Sequence, residues 1–148
     1  MAGYSGTPLA KKLGLNEGSR YATVAAPPGF AALVAPLPAG ARLTELSEGR
    51  LDVIVLFLTE RSVLESEFLA VARALQPAGG LWVAWPKRAS KVPTDITEDV
   101  IREVCLPSGL VDNKVCAIDE TWSGLRLVWR KELRQGLASV PSPPSPLV

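Results

Sequence analysis

Three groups of residues have types and spacings that could do chemistry. Lys87, Arg88 and Lys91 place three cations within five positions, directly after the apolar run LWVAWP at 81–86. Cations so spaced could clamp a phosphate or a carboxylate. A charged loop is as readily a solvated one, since exposed ion pairs contribute little. Asp119, Glu120 and Trp122 lie in the stretch DETWSG. A carboxylate pair beside an indole could grip a cationic or hydroxylated ligand, or the backbone of a partner protein. The plainer expectation is a hairpin connection with Trp122 folded back onto the core. Six residues is more than a tight hairpin needs, which favours a binding role. In the third group, Pro27, Pro28 and Gly29, Glu45, and Thr59 with Glu60 each follow an apolar run. If those runs are parallel strands, these residues meet at the carboxyl edge of a sheet, where such folds bind ligands.

What is missing narrows the chemistry. The chain contains no histidine, which removes the commonest general base and metal ligand together with Ser-His and Cys-His nucleophile pairs. Two cysteines, Cys105 and Cys116, are too few for a structural zinc site, and no metal is expected. Both fall in apolar surroundings and read as inert buried thiols. Sixteen Lys and Arg against fifteen Asp and Glu leave a net charge of +1. That balance excludes the strong basic excess of a nucleic-acid binder. No stretch has transmembrane length and no polybasic anchor is present, so no membrane association is expected. The opening MAGYSGTPLAKKLG has no export-signal core, which points to the cytoplasm.

The elements that must position these residues follow from periodicity and punctuation. The organising run is LDVIVLFLT at 51–59, apolar on both faces, as in a parallel strand covered by helices on either side. Before it the pattern predicts a short helix with Thr7 as N-cap, Pro8 in its first turn and Gly14 at its end. A strand at 20–26 is stopped by Pro27-Pro28-Gly29. A helix carrying Phe30, Leu33, Val34 and Leu37 follows, closed by Pro36 or Pro38, and then a strand at 41–46.

After the central run, Ser62 and Glu65 have capping-box spacing, and the next helix aligns Leu64, Phe68, Val71, Ala72 and Leu75 on one face. QPAGG at 76–80 reads as the turn that ends it, leading to a strand at 81–86. Asp95 with Glu98 opens a helix through Cys105. A hairpin with arms at 113–118 and 125–130 completes an α/β domain of residues 1–134. Residues 135–148, rich in proline and serine, read as a disordered tail. Trp82, Trp85 and Trp129 lie in apolar strands and are expected in the core. Asp52, at the head of its strand, is expected to orient backbone rather than react.

Across roughly residues 9–129 the order of elements resembles the class I S-adenosylmethionine methyltransferase fold. LGLNEGSRYATVAAPPG is similar to that family's lead-in, first strand and glycine-rich loop. LDVIVLFLTERSVLESEFLAVARALQPAGGLWVAWP is similar to its middle, an aspartate-led strand, a helix, a proline-glycine turn and a strand. More narrowly, MAGYSGTPLAKKLG and NKVCAIDETWSGLRLVWRK resemble a small bacterial domain family of unknown function.

The fold implied is a three-layer, Rossmann-like α/β sandwich, mostly parallel, with a C-terminal antiparallel hairpin. Only five residues separate Glu45 from Leu51, so the family's usual third strand has no room. The cofactor loop departs as well. Ala25-Ala26-Pro27-Pro28-Gly29 keeps one glycine, and prolines lack the N–H groups that such a loop presents. Thr23 stands where an acid is expected, and Glu45 or Glu48 could replace the ribose-binding acid. The expectation is a non-catalytic module that binds a small anionic ligand or a protein partner at the old cofactor crevice, without a cofactor. The alternative is a minimal methyltransferase holding S-adenosylmethionine in a rearranged loop.

Overall fold

Parallel strands built from continuous apolar runs need helices on both sides, and that requirement organises the molecule. A computed structural model describes residues 7–138. The elements are α1 (Leu9–Leu13), β1 (Arg20–Val24), α2 (Phe30–Val34), β2 (Arg42–Leu43), β3 (Leu51–Phe57), α3 (Arg61–Arg73), β4 (Leu75–Pro86), α4 (Glu98–Cys105), β5 (Leu110–Ala117), β6 (Trp122–Trp129) and α5 (Lys131–Ala138). Single 3-10 turns fall at Leu46–Glu48, Arg88–Ser90 and Leu106–Ser108.

The sheet has six strands in the order β2-β1-β3-β4-β6-β5. The first four are parallel, β6 runs antiparallel to β4, and β5 antiparallel to β6. This is the mixed, Rossmann-like sheet that the sequence implies. β3 is buried from end to end apart from Asp52. Its Ile54 and Leu56 join Leu81, Val83, Leu125 and Leu127 against α3 and α4, while Val53, Val55 and Phe57 join Trp82 and Ala84 against α1 and α2. Each such side chain contributes about 1.5–3 kcal/mol by leaving water. Trp82, Trp85 and Trp129 are all core residues. The Trp82 Nε1–H donates to the Leu13 carbonyl at 2.9 Å and the Trp129 Nε1–H to the Ala72 carbonyl at 3.2 Å. Asp52 orients backbone as expected, its carboxylate accepting from the Arg20 N–H at 2.9 Å and from Gln76 Nε2 at 3.2 Å.

The structure corrects several boundaries, each for a local reason. Pro8, not Thr7, occupies the N-cap of α1, while Gly14 ends the helix in a left-handed conformation as expected. α2 stops at Val34, because Ala35 precedes Pro36 and is extended, with ψ 148°. The strand expected at 41–46 shrinks to β2, since Leu46–Glu48 coil into a 3-10 turn. Ser62 lies inside α3 instead of capping it. Asp95 Oδ1, distant in sequence, accepts from the Arg61 N–H at 2.7 Å, and Glu65 pairs with Arg61 at 2.9 Å.

α4 begins at Glu98, capped by Thr97, whose Oγ1 accepts from the Val100 N–H at 3.1 Å. The expected turn 76–80 belongs to β4, bulged against Asp52. The hairpin arms run longer than the sequence suggests, so the connection is only 118–121. Residues 135–138, assigned to the tail from sequence, continue α5, and Leu137 packs against the core. Residues 139–148 and the N-terminal residues 1–6, including Tyr4 and Ser5, lie outside the described residues.

Candidate functional site

At the carboxyl edge of β1, the chain leaves the sheet through Ala25, which adopts a left-handed backbone at φ 59°. Pro27 to Phe30 then form a type II turn. Gly29 sits at φ 88°, ψ −3°, and the Phe30 N–H donates to the Pro27 carbonyl at 3.3 Å. Proline at the second position and glycine at the third are what such a turn demands. The turn uses one N–H, and Pro27 and Pro28 have none to offer.

Glu45 is exposed and follows a two-residue strand that pairs only with Arg20 and Tyr21. Glu48 turns back toward the start of β1 and pairs with Arg20 at 3.6 Å. A cofactor held as in methyltransferases needs backbone donors at this loop and an acid at the end of the second strand. Pro27, Pro28 and the exposed Glu45 fit that need poorly.

Beneath this edge three rings interlock. Phe30 meets Phe57 edge-to-face at 5.3 Å between centroids, and Phe57 meets Trp122 at 5.1 Å. Trp122 is half-buried, so its indole closes the core at the start of β6. The Asp119 carboxylate accepts from the Thr121 N–H at 2.8 Å and the Trp122 N–H at 2.7 Å, holding the connection closed. Glu120 is exposed.

Past β3, the Thr59 carbonyl accepts from Thr94 Oγ1 at 2.7 Å and from the Asp95 N–H at 3.3 Å. A strap at 91–97 is thereby tied to the lip formed by Thr59 and Glu60. Past β4, Lys87 donates its N–H to the Thr121 carbonyl at 2.7 Å, and Ser90 Oγ donates to the Lys87 carbonyl at 2.7 Å. Arg88 and Lys91 then line a crevice of about 670 Å³ between the end of β4, the strap and α4.

The charges in that crevice are unevenly satisfied. Arg102 donates to Asp112 at 3.1 Å, Asp99 at 3.0 Å and Glu98 at 3.0 Å. These hydrogen bonds, that to Asp112 foremost, raise its pKa above the usual guanidinium value. Arg61 is similarly raised by Glu65 and then Glu103. Among the described residues Arg88 and Lys91 form no ion pair.

The structure thus brings Arg88 and Lys91 together on one crevice, leaves Lys87 outside its lining, and draws none of its wall from 25–29 or from Thr59 and Glu60. Sequence reasoning missed Thr94, Asp95 and Arg102 as organisers of this edge. Thr97 before Glu98 and Asp99 was a legible cap signal. The roles of Thr94 and Asp95 depend on contacts 35 and 34 residues away, whereas two of Arg102's three pairs are helix spacings within α4 and the third is with Asp112, ten residues on. No group of three or more His, Cys, Asp or Glu is placed to hold a metal among the described residues. No helix there is long and apolar enough to cross a membrane.

No protein-family model and no curated protein matches the chain. Solved structures do. A SAM-dependent methyltransferase from Aquifex aeolicus superimposes with TM-score 0.56 at 15% identity, over 80% of this chain and 86% of that one. Magnesium protoporphyrin IX methyltransferase from Synechocystis, solved with bound SAH, gives TM-score 0.54 at 11% identity over 82% and 78%. A SAM-dependent O-methyltransferase from Thermotoga maritima gives 0.55 at 11% identity, over 83% of this chain and 64% of that one. The fold is methyltransferase-like. At such identities the likeness concerns the sheet and its helices, and function must be argued from the site.

Proposed function

We propose that this methyltransferase-like domain is a binding module for a small anionic ligand held in the crevice between β4 and α4. The observation that carries the reading is the pair Arg88 and Lys91, two cations that form no ion pair among the described residues and line a space of about 670 Å³. That volume is in the range of metabolite sites, about 300–1,000 Å³. Arg88 offers a planar fork for phosphate or carboxylate, and Lys91 a point charge. Glu98 and Asp99 are already paired with Arg102, so the acids of the far wall are partly neutralised.

Calorimetry with a nucleoside monophosphate and with inorganic phosphate tests the reading. Saturable binding should weaken about tenfold or more in an Arg88→Gln, Lys91→Gln double variant, the loss expected for charge-assisted hydrogen bonds. Unchanged affinity in the double variant overturns the proposal.

A second reading, S-adenosylmethionine bound at the β1–β3 edge, is favoured by one specific observation. Ala25 and Gly29 keep positive φ in the loop that methyltransferases fill with glycine, and the similar solved structures are named as SAM-dependent enzymes. On this reading Pro27→Gly raises affinity for S-adenosylmethionine and Glu45→Ala lowers it. Indifference to both changes removes it, whereas clean micromolar binding of S-adenosylmethionine promotes it over the anion module.

A further inference from the structure

An oxyanion held on Arg88 and Lys91 fills little of the β4–α4 crevice. The volume of about 670 Å³ is several times the roughly 150 Å³ that takes up a benzene ring. Much of the remaining lining is apolar, with Trp85, Pro86, Val92, Pro93 and Ile96. Trp85 and Ile96 are core residues, whereas Val92 stands 39% exposed. The Val92 N–H donates to Ser90 Oγ at 3.2 Å, and Ser90 Oγ donates in turn to the Lys87 carbonyl. Two residues further on, Thr94 Oγ1 donates to the Thr59 carbonyl and accepts from the Ile96 N–H at 3.1 Å. Val92 is thus held between two anchored residues. Lys91 before it has a left-handed backbone, φ 63° and ψ 10°, a conformation that is costly for a lysine and recurs at ligand clamps. One strained turn therefore lines the crevice with a cation and an exposed apolar side chain in succession.

The opposite side selects against a second anionic group. There Arg102 meets Glu98, Asp99 and Asp112, one cation against three carboxylates. That balance is negative, and among the described residues none of these acids pairs across the crevice with Arg88 or Lys91. A ligand with an anion at each end would meet like charge at its far end. An uncharged body finds apolar surface to cover in Val92 and Pro93, beside Trp85 and Ile96.

We propose that the ligand of this crevice is an organic oxyanion with one charged head and an uncharged, apolar body. The head takes the Arg88 fork and the Lys91 ammonium, and the body covers Val92 and Pro93. This inference rests on the reading of the crevice as an anion site and goes past it by naming the class of ligand. The competing explanation is an isolated exposed valine beside a charged loop, which needs no ligand.

The test is calorimetry on the full chain with probes that share a head and differ in body. Phenyl phosphate is set against methyl phosphate, and benzoate against acetate, at ionic strength held constant with sodium chloride. The aryl member of a pair should bind about tenfold more tightly, the gain expected from burying a ring against apolar surface. Tighter phenyl phosphate assigns a phosphate head, and tighter benzoate a carboxylate. Val92→Ser, at a residue outside both core clusters, should narrow the aryl advantage about threefold. A probe charged at both ends, 4-carboxyphenyl phosphate, should bind more weakly than phenyl phosphate. If aryl and methyl members bind alike and both respond to Arg88→Gln, Lys91→Gln, the anion site stands and this inference falls. If no probe binds, both fall. The inference is also overturned if the aryl advantage survives Val92→Ser undiminished, if aryl affinity is unchanged in the Arg88→Gln, Lys91→Gln variant, or if 4-carboxyphenyl phosphate binds as tightly as phenyl phosphate.

Discussion

At Ala25 an L-residue holds φ 59°, a conformation that costs about 1–2 kcal/mol without glycine. Ala25→Gly relieves that strain and adds an unfolded-chain entropy penalty of about 0.5–1 kcal/mol. The expected net gain is about 0.5–1 kcal/mol in urea unfolding, and a loss on substitution would show that the Ala25 methyl makes contacts worth more than the strain. Nothing in an alanine announces such a backbone, so the sequence hid it. The thiols were easier to read. Cys105 is fully buried, and burial pushes it from 9.0 up to about 12. The folded state therefore keeps its proton where the unfolded chain has lost it. Stability from this group is whole below pH 9 and is lost as pH rises toward 12, by at most about 1.4 kcal/mol per unit. Cys105→Ala should flatten but not abolish the decline of the urea midpoint between pH 9 and 10, where Cys116, also raised by burial, contributes and Tyr21, raised by burial from 10.0, begins to. An unchanged slope would assign the alkaline loss to other groups.

Adjacent glycines in β4 separate two kinds of close approach at the scale of an element. A Cβ on Gly79 would lie 2.7 Å from the Leu51 carbonyl oxygen and 3.0 Å from that of Asp52, backbone atoms that cannot step aside. On Gly80 it would meet the end of a flexible arginine. Gly79→Ala should cost more than about 2 kcal/mol, and Gly80→Ala about 1 kcal/mol or less while displacing Arg126. Equal thermal shifts for the two would refute this distinction. The sequence marked QPAGG as a turn because proline and glycine punctuate turns. Its incorporation into β4 depends on pairing with β3, which local pattern does not contain. On the outer strand β5, the register slips between Asp112 and Lys114. That bulge, with an exposed lysine beside it, blunts an edge that carries Val111 and Val115 in contact with solvent.

At the scale of the whole molecule, a ligand bound only by the folded chain stabilises all of it. At about 100-fold excess over its dissociation constant, an anion in the β4–α4 crevice should add about 2.7 kcal/mol. Thermal unfolding should show that gain in the unmodified protein and not in the Arg88→Gln, Lys91→Gln variant; equal gains in both would place the anion elsewhere.

The amino-acid sequence by itself determined the alternation of strands and helices, the burial of β3 on both faces, the reversed strand pair and the absence of room for a further strand between β2 and β3. Those features follow from apolar periodicity and chain length, which are local. Tertiary structure alone decided that Glu48 faces the opposite edge and that Asp95 caps α3. It also decided that Arg102 adds Asp112 to its two carboxylate partners within α4, while among the described residues Arg88, Lys91 and Arg126 form no ion pair. Charged residues of one type look alike along a chain. Which of them keeps a free charge is set by strand register and by contacts between segments far apart in sequence.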